Sequence, residues 1–283
     1  MTMIPPRIEE VEASVERRRA ERATRARVSA VLAPVAVVIA VLALWEAGTR
    51  AFGVPAFLLP PPTDVIAAMV KHAPLLAAGA WVTTVEIVLG FALSIVVGIP
   101  LALMIFLWPP FARAVLPLLI SSQAMPKVAV APLLLVWFGF GLMPKVLIAF
   151  LIAFFPVVIN TAAGLAAIEP EKIFLARSMG FGAMDTFFKI RLPDALPAIF
   201  AGLKISITLA VVGAVVGEFV GGDAGLGYLL MVANGSMDTQ LLFAGIVWLT
   251  ILGVALYLLV ELAERLAIPR HIISDDRATG GTL

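Results

Sequence analysis

No cysteine occurs among the 283 residues. Disulfides, iron–sulfur clusters, thiolate zinc sites and a cysteine nucleophile are therefore excluded. Histidine is nearly absent: His72 and His271 lie far apart, too sparse for a histidine metal site. Charge is scarce at 14% of residues, against about 25% in an ordinary soluble domain. Net charge is +1, with no basic patch carrying interleaved aromatics, which argues against a nucleic-acid partner. The six lysines follow Val, Pro, Glu, Phe or Leu. With no Gly-Lys dipeptide there is no phosphate-binding loop of the Walker type, so any ATP must be bound by another chain. No Ser/His/Asp grouping and no H-E-x-x-H occurs. The expectation is a chain that is not an enzyme and holds no cofactor or metal.

What is abundant is apolar surface. The chain is 61% hydrophobic, and its mean hydropathy is +1.06. The solvent for most of it must be lipid, and a spanning helix needs about 20 apolar residues. Charges fence the apolar runs. Residues 28–45 give a first span, roughly 77–105 a second, 115–140 a third, 146–168 a fourth, 195–217 a fifth and 239–260 a sixth. The third is either one span or two shorter helices hinged at Met125-Pro126-Lys127, because Pro126 removes a backbone donor. The expected fold class is an all-α membrane protein of six transmembrane helices.

Lys and Arg orient it. Residues 1–27 carry seven arginines and five glutamates. That is too long and too acidic for the start of a signal peptide, and reads as a cytoplasmic arm before an uncleaved first span. The loop around 168–195 holds Lys172, Arg177, Lys189 and Arg191, and the tail 268–283 holds Arg270 and Arg277. Both termini and this loop are expected in the cytoplasm, flanking a permease domain over 28–267.

The loop contains "FLARSMGFGAMDTFFKIRLP", residues 174–193. Gly180 is placed to stop a helix in a left-handed conformation, and Gly182 to start the next. Met184, Phe187 and Phe188 fall at i, i+3 and i+4, hence on one helix face. Pro193 is expected to end the element. An apolar face on a water-exposed loop needs a cover, supplied either by a groove on a partner or by headgroups.

The spacing of Ala176, Gly180, Ile190, Leu192 and Pro193 resembles the "EAA" loop of ATP-binding-cassette importer permeases. Phe174 and Leu175 stand where that pattern has Glu and Ala. "WEAGTRAFGVPAFLLPPP" (45–62), "QAMPKVAVAPLLLVWFGFG" (123–141) and "VVGEFVGGDAGLGYLL" (215–230) are similar to the nitrate/sulfonate/taurine branch, which also includes pyrimidine and riboflavin carriers. The resemblance covers about residues 45–265. It implies a type I importer permease of MetI-like fold in a bacterial inner membrane. It further implies a second permease copy, two cytoplasmic ATPase subunits and an extracytoplasmic binding protein. Ala176, Arg177, Gly180, Met184, Phe187, Phe188, Ile190, Leu192 and Pro193 would then form the ATPase-coupling surface.

Charges at membrane depth are costly, about 2.5–3.5 kcal/mol each on insertion scales, and default to function. Glu86, Lys127 and Glu218 are the pathway candidates. Lys127 reads as a cation meeting an anionic substrate, or as a snorkelling group or partner of Glu86. Glu86 reads as a structural ion pair or as a ligand contact. Lys204 is expected to snorkel toward the cytoplasm, and Glu218 and Asp223 to shape the outer mouth. Trp137 and Phe138 read as interface anchors or a substrate clamp. The alternative class is an ion-coupled secondary transporter. Such carriers usually carry midplane acids in repeated halves, and no repeat is visible here.

Overall fold

The computed structural model describes residues 33–268. The expected arm 1–27, His271 and all of the expected tail beyond residue 268 lie outside these. Two units divide the chain, Met1–Ala67 and Ala68–Leu283.

In the first unit, α1 (Ala33–Ala51) is a 19-residue apolar helix. At its end Glu46 and Arg50 pair one turn apart. Thr63 donates its hydroxyl to Glu46 over 2.9 Å and accepts from the Arg50 guanidinium over 2.9 Å. The Thr63 backbone N–H also donates to Glu46. The proline run therefore does not simply dangle. It folds back so that Glu46 satisfies an orphan donor at the start of α2 (Pro62–Lys71).

In the second unit, α3 (Ala73–Leu107) is followed by α4 (Pro109–Gln123), a short 3₁₀ turn (Lys127–Val130) and α5 (Ala131–Phe138). Next come α6 (Leu142–Ala166), α7 (Pro170–Ser178) and α8 (Ala183–Thr186). A π turn (Phe187–Arg191) leads into α9 (Leu192–Gly221), then α10 (Leu226–Gly235) and α11 (Thr239–Ala267). The described residues contain no strand, and the all-α expectation holds. Five helices are long and apolar enough to cross a membrane, or six if the bent pair Pro109–Gln123 and Lys127–Phe138 counts as one span.

That pair is the hinged alternative for the third span. Its halves are bent by 87°. Pro126 is extended, at φ −69° and ψ 94°, so the hinge lies where the proline removes a donor. The fourth span begins earlier than expected, at Leu142 rather than residue 146, and this brings Lys145 inside the helix.

α6 is the centre, with α3 on one side and α9 on the other. Ile87, Ala153, Ile207, Ala210 and Ala214 form one core cluster between them. In lipid there is no hydrophobic drive between helices, so small residues that admit close backbone approach do this work. Two glycines converge on Ala149. A Cβ added at Gly90 of α3 would lie 2.5 Å from the Ala149 Cβ, and one at Gly213 of α9 would lie 2.5 Å from its Cα.

Gly213→Ala is expected to destabilise the solubilised chain by about 1–3 kcal/mol, because backbone cannot yield as a side chain does. Gly253→Ala, where nothing lies closer than 3.8 Å, is expected to be neutral or slightly stabilising. Thermal unfolding of the two variants in one detergent checks the contrast.

Candidate functional site

Two constellations stand at opposite ends of α9. The first is the loop between α6 and α9. α7 stops at a complete Schellman turn: the Phe181 N–H donates to the Ala176 carbonyl and the Gly180 N–H to that of Arg177. Gly180 has φ +84°, which a side chain would strain. Gly182 is the N-cap of α8. Both glycines occupy their expected positions.

Pro193 departs from expectation. Helix continues through it into α9, where it occupies the first turn. The Leu192 N–H donates five residues back to the Phe187 carbonyl, and that wider π register passes the chain into a position where the missing proline donor matters least. The same turn separates the two aromatics. Met184 and Phe188 are exposed, whereas Phe187 is half-buried and packs on the cluster of Val157, Leu165 and Leu203. The expected single Met-Phe-Phe face is thus incorrect for Phe187. It meets Phe188 edge-to-face, with ring centroids 5.1 Å apart.

The exposed apolar set is wider than Met184 and Phe188. Phe174, Leu175 and Met179 join them at the surface, while Ala176 is buried. Ile190 and Leu192 are half-buried, and Arg177 is exposed. Sequence reading missed Phe174 and Leu175 as surface elements because they registered only as departures from a motif. Lys189 pairs with Asp185 at 2.6 Å, and Lys172 with Asp194 at 2.9 Å.

The second constellation is a charge cluster inside the helices. Lys145 of α6 is 3.0 Å from Glu86 of α3 and 3.4 Å from Asp223 after α9. Lys145 is 3% exposed and Glu86 fully enclosed, whereas Asp223 is 87% exposed. Glu218 is fully buried beside Glu86. It accepts from the Thr83 hydroxyl over 2.6 Å and from the Gly227 N–H. Thr83 in turn accepts from the Leu226 N–H over 2.8 Å. The first donors of α10 are therefore satisfied from α3 and α9 rather than by a residue of their own. Asp223 lies outside the spans; its own backbone N–H, then the Lys145 ammonium, hold its carboxyl below the usual carboxylate range.

Three expectations change here. Glu86 pairs with Lys145 and not with Lys127. Lys145, which the use of charges as span boundaries places just before the fourth span at 146, lies inside α6. The repeated Met-Pro-Lys at 125–127 and 143–145 is the signal that could have found it. Lys204 does not simply snorkel: it is paired with Glu264 of α11 at 2.8 Å. Glu86 and Glu218 reach no surface of the subunit. Lys127 is half-exposed at the 87° break and donates to Gln123. Trp137 and Phe138 are exposed at the end of α5.

Residues 90–271 match the family of binding-protein-dependent transport system inner membrane components. The chain belongs to that family. It is an ABC importer permease, and its relatives agree. A probable ABC transporter permease protein of Haemophilus influenzae is 36% identical, over 81% of this chain and 94% of its own length. The formylaminopyrimidine transport permease protein ThiX of Halalkalibacterium halodurans is 34% identical over 84% and 95%. The riboflavin transport system permease protein RibX of Chloroflexus aurantiacus is 38% identical over 80% and 85%. Among solved structures, an inward-facing MetNI methionine ABC transporter aligns with a TM-score of 0.62 at 20% identity. That alignment covers 70% of this chain and 99% of the other. It supports the MetI-like fold of the permease.

Removing the Lys145 ammonium strands buried carboxyls. Lys145→Met is expected to cost about 3–5 kcal/mol of stability, and pairing it with Glu86→Leu to recover part of that loss. Unfolding midpoints of the single and double variants of the solubilised permease check this.

Proposed function

We propose that this permease forms the translocation pathway of an ATP-driven importer and takes its drive through residues 174–193. A cytoplasmic ATP-binding subunit covers Phe174, Leu175, Met179, Met184 and Phe188. The observation that carries this reading is that exposed apolar patch, presented on short helices with a rigid Schellman turn between them. Apolar side chains on a loop flanked by Lys and Arg need a cover, and a groove on a protein partner supplies it. Arg177 and Gly180 set the turn, and Ile190, Leu192 and Pro193 join the loop to α9. A permease chain without a phosphate-binding loop requires such a partner for ATP.

The pathway is completed by a second permease copy, and an extracytoplasmic binding protein delivers the solute. The N-terminus and C-terminus face the cytoplasm with the loop. The substrate is a small organic or anionic solute of the pyrimidine, flavin, sulfonate or nitrate class, and the names of the related formylaminopyrimidine and riboflavin permeases support the heterocycles among these. Lys127 is the residue proposed to face the pathway, since it stands half-exposed at a break in a span. Glu86 and Glu218 are assigned instead to holding the outer ends of the helices together.

Two experiments test these readings. Met184→Asp with Phe188→Asp is expected to abolish capture of the ATP-binding subunit from co-expressing cells and to stop uptake, while the permease still reaches the membrane. Retained capture and transport would refute the coupling surface. Lys127→Ala is expected to lower uptake of a labelled anionic solute without lowering ATPase capture. Unchanged uptake would remove Lys127 from the pathway.

A further inference from the structure

A cavity of about 310 Å³ lies between the end of α3 and the underside of the loop helices. That is at the small end of ligand pockets, which run roughly 300–1,000 Å³. Its walls include Phe106 and Leu107 of α3, Phe181 and Phe187 of the loop, and two arginines, Arg177 and Arg191. No acidic residue lines it. Among the described residues neither arginine has a carboxylate partner; Asp185 pairs with Lys189 and Asp194 with Lys172. Arg191 lies with its guanidinium carbon 5.1 Å from the Phe106 ring centroid and makes only a long contact, 3.5 Å, to the Leu165 carbonyl. Its planar fork is held in place with most of its donors unspent. Arg177 brings a second fork to the same cavity.

Two guanidinium groups with aromatic walls and no counter-charge suit a phosphate oxygen set, which guanidinium recognises bidentately. We propose that this cavity binds an anionic phosphate group, held between Arg177 and Arg191. The source favoured by the surroundings is a phospholipid headgroup. Immediately after Leu107, the exposed Trp108 stacks on Phe111 at 5.9 Å with the rings 7° from parallel. An exposed tryptophan at the end of a spanning helix marks headgroup depth, and half-buried Phe111 braces it. The acyl chains would leave past Leu107 along α3. The other source of the same chemistry is a soluble phosphate compound. The consequence for regulation rests on the coupling reading above: an occupied cavity would stiffen the loop from beneath.

Binding is measured on the full-length permease alone, so its failure is separate from failure of ATPase capture. The purified chain is titrated in detergent with short-chain phosphatidylglycerol, with phosphatidylcholine and with glycerol 3-phosphate, and followed by native mass spectrometry. Phosphatidylglycerol is expected to bind saturably, and Arg177→Gln with Arg191→Gln to weaken it roughly tenfold or more. Phosphatidylcholine carries the same phosphodiester beside its own choline cation, so it should bind more weakly than phosphatidylglycerol and lose less affinity on the substitutions. Arg177→Gln alone, at an exposed position, should weaken binding without moving the unfolding temperature, which covers the case in which the Arg191 variant loses its packing on Phe106. Arginine-dependent binding of glycerol 3-phosphate but not of the lipid would keep the phosphate site and make its ligand soluble. Binding of neither probe, or binding indifferent to both substitutions, would overturn the proposal.

Discussion

Two neighbouring helices press a glycine each onto Ala149 of α6, and much of the remaining geometry follows from that contact. Gly90 approaches Ala149 from α3 and Gly213 from α9, each so near that one added carbon would clash at 2.5 Å. Four residues along each helix from this level stand Glu86, Lys145 and Gly217. Lys145 is Ala149 minus one turn, Glu86 is Gly90 minus one turn, and Gly217 is Gly213 plus one turn. A Cβ at Gly217 would lie 2.9 Å from the Lys145 Cα. The glycine contact therefore sets the helix separation at which an ammonium can lie 3.0 Å from a carboxylate with neither reaching solvent. A buried ion pair is a poor source of net stability, because desolvation opposes the Coulomb gain. Its better-attested use is to fix register, since sliding α6 by one residue would separate Lys145 from both Glu86 and Asp223.

The same cluster explains the organisation of α10. A ten-residue helix has four orphan N–H groups at its start, and in an apolar setting each is expensive to leave unpaired. Gly225, at φ +113°, turns the chain sharply. Thr83 and Glu218 then meet the Leu226 and Gly227 donors. A carboxylate at a helix N-terminus is favoured by the helix dipole as well. Glu218 therefore belongs to the joint between α9 and α10 rather than to an open mouth. Asp223, almost fully exposed, is the member of the group that meets solvent.

How much of this was legible follows from what each signal measures. Uncharged runs locate spans because lipid penalises charge, and α3, α6, α9 and α11 lie where those runs fall. The same logic failed at Lys145, since a charge that is paired inside a bundle does not mark a boundary. Backbone chemistry at Gly180 and Gly182 was readable because left-handed and capping positions have few acceptable residues. Phe187 was misplaced because an α-helical period assumes 3.6 residues per turn, and the π turn at Phe187–Arg191 breaks that count just where the face was read. Partners 135 residues apart, such as Thr83 and Glu218, leave no trace in a local pattern. The cavity at Arg177 and Arg191 was unreadable for the same reason, because Phe106 joins it from a different helix.

The continuous run from Ala183 to Gly221 connects these regions physically. It is 39 residues long, about 58 Å at 1.5 Å per residue. At one end it carries Met184 and Phe188 on the surface; near the other it carries Glu218 at the start of α10. Pro193 and Pro197 lie in the first turns of α9 and the π turn precedes them, so the compliant portion of the run is next to the loop. Beyond Gly202 the helix is pinned by close contacts with α6, at Gly213 and Gly217. A displacement of the loop can be absorbed as bending around residues 187–197, or be passed on as tilt of a stiff segment whose far end clasps α10. Packed interfaces of this tightness favour discrete alternative arrangements over continuous deformation. Tilt of α9 would then have to move α6 with it, through Ala149, and that ties the pairing of Lys145 with Glu86 and Asp223 to the position of the loop.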